Sequence, residues 1–168
     1  KMPLHKLLGL PLPKSKTSLT IGIMSPNSVK ERIPLLFEGT SAKFLKVKLG
    51  SNKGLEADKA MYTQVLESIK PYDIKLRVDA NGGWSTEEAK YMIDWLSKRK
   101  CDYVEQPIVE GKEKDLKTLY KSRSLPIFVD ESCRYSQDII KYYDYVDGVN
   151  LKLMKCGGLL VARKMIAQ

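Results

Sequence analysis

Short stretches of this chain alternate strictly between apolar and polar residues, and the longer stretches between them repeat their apolar residues at helical spacing. Leu45, Val47 and Leu49 alternate with Phe44, Lys46 and Lys48, and Ile74, Leu76 and Val78 alternate with Lys75, Arg77 and Asp79. Period-two alternation gives a strand one oily face and one charged face. The same split sets Leu19, Ile21 and Ile23 against Ser18, Thr20 and Gly22, Ile127 and Val129 against Asp130, and Val149 and Leu151 against Asn150 and Lys152. Strands are therefore predicted at Thr17–Ile23, Phe44–Leu49, Ile74–Asp79, Tyr103–Glu105, Ile127–Asp130 and Gly148–Lys152. The clearest helix begins at Ser85, where Glu88 completes a capping box and Ala89, Met92, Ile93 and Leu96 follow at helical spacing. Helices are also predicted at Glu56–Ile69, Glu113–Lys121 and Gln137–Tyr143, and the chain ends within a further amphipathic stretch. Residues 1–16 hold three prolines and no period, and read as a linker entering the first strand from a preceding domain.

Alternating strand and helix patterns predict repeated βα units and a parallel sheet. In a doubly wound sheet helices cover both faces, so central strands should be apolar on both sides. Here one face of each strand is charged. An α/β (β/α)8 TIM barrel fits better, because its helices cover only the outside and its inward residues at the strand C-termini build the site. About six of the eight units are expected within residues 17–168, a partial barrel.

Composition removes several alternatives. The 168 residues are 43% hydrophobic, enough for a packed core, which argues against disorder. No run approaches the length of a membrane helix and no signal peptide precedes the first strand, so a cytoplasmic protein is expected. Cys101, Cys133 and Cys156 are widely spaced without a CxxC pair and read as buried, reduced thiols. The one histidine, His5, lies in the linker, which leaves no histidine for a Ser-His-Asp triad or an HExxH zinc site. The net charge of +9 is spread over helical segments without interleaved aromatics, which argues against nucleic acid.

The last inward positions of successive strands are Lys48, Asp79, Glu105, Asp130 and Lys152. Three carboxylates converging at one end of a barrel repel one another unless a cation sits among them. Hard oxygen donors with no His or Cys nearby favour Mg²⁺, with Mn²⁺ as a substitute. A lysine lies on either side.

Five ordered stretches carry a resemblance. Lys46-Val47-Lys48, Arg77-Val78-Asp79-Ala80-Asn81, Val104-Glu105-Gln106-Pro107, Val129-Asp130-Glu131-Ser132 and the run Asn150 to Gly158 resemble the successive motifs of the enolase superfamily, muconate lactonizing enzyme subgroup. Within it the chain is most similar to dipeptide epimerases of the L-Ala-D/L-Glu type, through Thr17 to Ile23 and the Asn-Leu-Lys-Leu-Met-Lys run. The resemblance implies that Asp79, Glu105 and Asp130 bind Mg²⁺. It also implies that Lys48 and Lys152 are acid/base catalysts on opposite faces of the substrate α-carbon, passing through an enediolate. Lys46 would then add positive charge beside Lys48 and depress its pKa, and Asn81, Lys155, Thr20 and Asn150 would support the ligands or the substrate. A Lys base with Mg²⁺ is a general solution in this superfamily.

The resemblance also implies a capping domain before the barrel and two βα units after the sixth, and with them the elements that decide the substrate. A small dipeptide is the expected partner, with no membrane or nucleic acid, and a homo-oligomer is compatible with the chain. A piece lacking the remaining units is expected to be inactive. Two alternatives stay open: another reaction of the same site, o-succinylbenzoate synthesis or cycloisomerisation, and a basic noncatalytic binding scaffold. Gly157-Gly158 as a phosphate cradle is disfavoured by the lack of a fuller glycine-rich loop.

Overall fold

The computed structural model describes residues 2–12 and 17–168. The elements run α1 (Leu4–Leu7), β1 (Ser18–Ile21), α2 (Pro26–Phe37), β2 (Phe44–Lys48), α3 (Leu55–Ser68), β3 (Lys75–Asp79), α4 (Thr86–Ser97) and β4 (Cys101–Glu105). They continue through α5 (Leu116–Ser122), β5 (Ile127–Val129), α6 (Ser136–Tyr142), β6 (Gly148–Val149), α7 (Leu153–Cys156) and α8 (Leu159–Ile166), with a 3-10 turn at Glu113–Asp115 leading into α5. The six strands form one sheet in sequence order, every neighbouring pair parallel. Sequential order without reversal is the wall of a (β/α) barrel, whereas a doubly wound sheet changes direction at its middle.

The outward face of the sheet is apolar and packed. Leu45, Val47, Leu76, Val78, Val104, Ile127 and Val129 have no exposed surface and lie in one cluster with Val29, Ile33, Met61, Val65, Met92 and Leu96 of the helices. Each such side chain contributes about 1.5–3 kcal/mol on burial. The inward face is different. Arg77 lies with its guanidinium carbon 4.0 Å from the centre of the Phe44 ring and 5.3 Å from that of Tyr103, and Tyr103 stacks on Phe128 at 4.1 Å. This aromatic and cationic row forms a floor beneath the charged strand ends. It closes at Gly148, where a Cβ would lie 2.3 Å from Phe128 Cε1.

Several boundaries depart from the predicted ones. β1 is shorter than Thr17–Ile23, β4 begins at Cys101 rather than Tyr103, and β6 stops at Val149 instead of reaching Lys152. Beyond Val149 the Asn150 N–H still donates to the Val129 carbonyl at 2.8 Å, but Lys152 then turns to accept the first hydrogen bonds of α7. The predicted helix Glu113–Lys121 divides into the 3-10 turn and α5. Helix α2 is absent from the sequence prediction. Its signals are local: Ser25 accepts from the Ser28 N–H at 3.2 Å, Pro26 takes the first helical position, and Val29, Ile33 and Phe37 face inward at spacing of four. The predicted linker contains the helical turn α1, while Lys1 and residues 13–16 lie outside the described residues. Ser85 and Glu88 form the predicted capping box. All three cysteines are buried and free, and burial pushes the Cys101 thiol up to about 12 and that of Cys133 to about 11.

At the C-terminal end of the sheet the loops after β2 and β3 meet backbone to backbone. Gly50 has φ of +82°, and a Cβ there would lie 2.1 Å from the Ala80 carbonyl oxygen. Gly50→Ala is therefore expected to cost roughly 2–4 kcal/mol, from left-handed strain plus overlap with rigid backbone. Gly39 also has a positive φ, +65°, with nothing within 4 Å of its would-be Cβ. Gly39→Ala should cost about 1 kcal/mol. Urea midpoints of the two variants should separate accordingly, and equal midpoints would refute the interlock.

Candidate active site

The register of the sheet brings the predicted residues together. Lys48 lies opposite Asp79, and Asp79 opposite Glu105. Glu105 lies opposite Phe128, two residues before Asp130. The three carboxylates are 2%, 1% and 0% exposed, unusual for acids and costly without partners.

The partners are lysines, the Asn150 side-chain amide and the backbone N–H of Asn81, which donates to Asp79 Oδ1 at 3.0 Å. Lys48 Nζ lies 3.3 Å from Asp79 Oδ2 and donates to Asn81 Oδ1 at 3.0 Å. Lys46 Nζ donates to Glu105 Oε2 at 2.6 Å, and Asn150 Nδ2 donates to Glu105 Oε1 at 2.8 Å. Lys152 and Lys155 each take one oxygen of Asp130, and Lys155 also donates to the Asp130 carbonyl. Lys46 is thus bound to the central carboxylate, while Lys48 is bound one strand away. Thr20, opposite Lys46 on β1, is exposed. Asn81 combines two roles. Its φ of +47° makes it the turn residue after β3, and its side chain links Lys48 to Glu131, donating to Glu131 Oε1 at 3.3 Å.

These environments set the proton affinities. Burial, and then the charge of Asp79, lift Glu105 above the usual carboxylate range against the pull of Lys46 and Asn150. Burial acts the same way on Asp130, but Lys152 and Lys155 outweigh it and hold this acid below its usual value. Burial pulls Lys152 down, and the hydrogen bond and charge of Asp130, with Glu131 and Glu105 beyond, raise it above an ordinary lysine.

The donor set fits a hard divalent cation. It consists of three buried carboxylates on neighbouring strand ends, without sulfur or imidazole. Among the described residues, no three acidic, histidine or cysteine side chains are gathered closely enough to hold an ion as they stand. Each carboxylate is instead turned onto an ammonium group.

Three further residues complete the site, none of them given a role by the sequence prediction. Gln106, 1% exposed and with φ of +41°, accepts from the N–H groups of Asp130 and Ser132 at 2.9 and 3.2 Å and donates to the Ile108 carbonyl at 2.9 Å. It thereby fixes the backbone that carries Asp130. Glu131 presents a buried Oε2 without a hydrogen-bond partner. Asp58 lies beneath the Lys48 loop. The signal for Gln106 was its place in the Val-Glu-Gln-Pro stretch, whereas Asp58 reads from sequence as an ordinary first-turn helix acid.

The six strands among the described residues carry three carboxylates and flanking lysines at the C-terminal end of the sheet, the end at which barrel enzymes build their sites. Residues 35–168 match the Enolase C-terminal domain-like family, and the chain belongs to that family. It is 58% identical over 166 residues to a hydrophobic dipeptide epimerase of Flavobacteria bacterium (strain MS024-2A), covering 99% of this chain and 48% of that protein. A second hydrophobic dipeptide epimerase, from Roseobacter litoralis, is 51% identical over 99% of this chain and 48% of its own length. Among solved structures, the dipeptide epimerase from Cytophaga hutchinsonii complexed with Mg and the dipeptide D-Ala-L-Val superposes with a TM-score of 0.87 at 29% identity, over 98% of this chain and 45% of that one. The chain thus spans about half the length of the curated relatives it matches. Among the described residues no helix is long and apolar enough to cross a membrane.

Proposed function

We propose that the intact protein is a Mg²⁺-dependent dipeptide epimerase that removes and returns an α-proton with two lysines. The observation that carries this reading is Lys48 at the end of β2 and Lys152 just past β6 at the start of α7, with Asp79, Glu105 and Asp130 between them. A proton α to a carboxylate is weakly acidic, so its removal needs a base at the carbon and positive charge at the carboxylate. A divalent cation held by Asp79, Glu105 and Asp130 would supply that charge. Lys48 would take the proton from one face of the carbon, leaving an enediolate, and Lys152 would deliver a proton to the other, inverting the centre. Lys46 and Lys155 would add fixed positive charge, and Asn81 and Asn150 would orient Lys48 and Glu105.

For the substrate, identities of 58% and 51% to proteins named hydrophobic dipeptide epimerases, against 35% to an L-Ala-D/L-Glu epimerase of Bacteroides thetaiotaomicron, favour an apolar dipeptide over L-Ala-L-Glu. Incubation of the intact protein with Mg²⁺ in D₂O should place deuterium at one α-carbon of L-Ala-L-Val and yield its epimer. L-Ala-L-Glu should react at least about tenfold more slowly, since a buried carboxylate without a partner is penalised in an apolar pocket. Failure to incorporate deuterium into any dipeptide would end this reading. Residues 1–168 alone are expected to be inactive in the same assay. Among the described residues β1 and β6 each pair on one side only, and water entering there screens the charges that the chemistry needs.

A further inference from the structure

We propose that Asp58 is a positioning residue for Lys48, holding the loops that follow β2 and β3 in the one arrangement that presents the Lys48 ammonium to substrate. This rests on the epimerase reading above. Asp58 is in the first turn of α3, where an acid ordinarily serves its own helix. Here both carboxylate oxygens point elsewhere. Oδ2 accepts from the Gly50 N–H at 2.9 Å and Oδ1 from the Ser51 N–H at 3.0 Å, both in the loop directly after Lys48. Oδ2 also accepts from Trp84 Nε1 at 2.9 Å, in the loop after Asp79 and Asn81. Asp58 is 1% exposed and Trp84 3%, so this junction is dry, and its hydrogen bonds to a carboxylate are of the strong kind.

Both halves of the Lys48 environment hang on this junction. The Lys48 side chain is 38% exposed, and its ammonium is held by Asp79 at the end of β3 and by Asn81 in the loop that follows. Gly50 and Gly83 bring the two loops so close that a Cβ on Gly83 would lie 2.5 Å from Gly50 Cα. Backbone packed this tightly has no freedom to compensate for a lost tie except by moving apart, which displaces Lys48 relative to Asp79. Lys152 lies outside the junction, anchored to Asp130 across β5 and β6.

The difference between the two lysines supplies the test. Asp58→Asn keeps the size but offers one acceptor where two backbone N–H groups need one each, and Trp84→Phe removes the third bond alone. In the intact enzyme, α-deuterium exchange from the stereoisomer that Lys48→Ala no longer exchanges should fall about 10–100-fold in Asp58→Asn, as expected for a displacement near 1 Å. Exchange from the opposite stereoisomer should stay within about threefold, and Trp84→Phe should show the same asymmetry at smaller size. Equal slowing on both faces, or none, overturns the proposal. A second readout does not depend on turnover. After reductive methylation with ¹³C-formaldehyde, the NMR signal of dimethylated Lys48 should move in Asp58→Asn while that of Lys152 stays, and an unmoved Lys48 signal also overturns it. If Asp58→Asn does not fold, Trp84→Phe carries both readouts. If the parent exchanges no α-proton, the functional reading fails and the NMR signal alone decides on the junction.

Discussion

Lys152→Ala and Lys48→Ala are each expected to lower dipeptide epimerisation by the intact enzyme about a thousandfold or more, the upper part of the range for loss of a positioned acid or base. On the proposed two-base mechanism each inversion needs both groups, one to take the proton and one to return it, so neither variant would retain a route to the epimer. Exchange with solvent separates them. With Lys152 absent, Lys48 can still remove and replace the proton of one stereoisomer, so deuterium enters that isomer without inversion, and the reverse holds for Lys48→Ala. Chiral chromatography with mass detection in D₂O reads both quantities at once. Undiminished epimerisation in Lys152→Ala would exclude the two-base mechanism. The variants should also differ in stability. Lys152 is one of two ammonium partners of the wholly buried Asp130, and Lys155 remains when it is removed, so Lys152→Ala should cost less than about 1 kcal/mol at this partly exposed position.

What the sequence reveals of this molecule is what strand parity encodes. One-residue alternation fixes which side chains face inward, so Lys48, Asp79, Glu105 and Asp130 are legible as one inward set, and the single charged face per strand separates a barrel wall from a doubly wound sheet. Helix α2 is hidden because Pro34 lies within it and breaks the pattern that a helix reading relies on, although Ser25 and Pro26 mark its start. Lys152 is legible as inward but not as the residue that leaves the sheet, because the end of β6 is set by the onset of α7 rather than by hydropathy. Gln106 is legible only as a member of the Val-Glu-Gln-Pro stretch and not in its role, and Asp58 is not legible at all. Gln106 acts through a left-handed backbone that only the assembled loops stabilise, and Asp58 through N–H groups of two loops that its local sequence does not contain.

Glu105→Gln and Asp130→Asn should each weaken Mg²⁺ binding to the intact protein by at least about a hundredfold, yet affect the metal-free fold to different extents. Each would remove one of the three anionic donors proposed for the ion, and a neutral amide is a poor replacement for a carboxylate at a hard cation. The metal-free fold responds differently because the two acids have different neighbours. Glu105 is lifted above the carboxylate range by burial and by Asp79, so neutralising it relieves repulsion, with the Lys46 bond as the offsetting loss. Its variant should melt within about 1 kcal/mol of the parent. Asp130 is held low by two ammonium groups, and Asp130→Asn leaves both without their anion beside a buried amide. That should cost roughly 1–3 kcal/mol, below the full value for a buried pair because Lys152 is 45% exposed. Isothermal titration with MgCl₂, together with melting curves in EDTA and in excess Mg²⁺, reads both effects, since an ion that binds only the native state raises the parent's melting temperature. Parent-like titration by both variants would show that the carboxylates between the two lysines serve those lysines alone, and that the metal lies elsewhere.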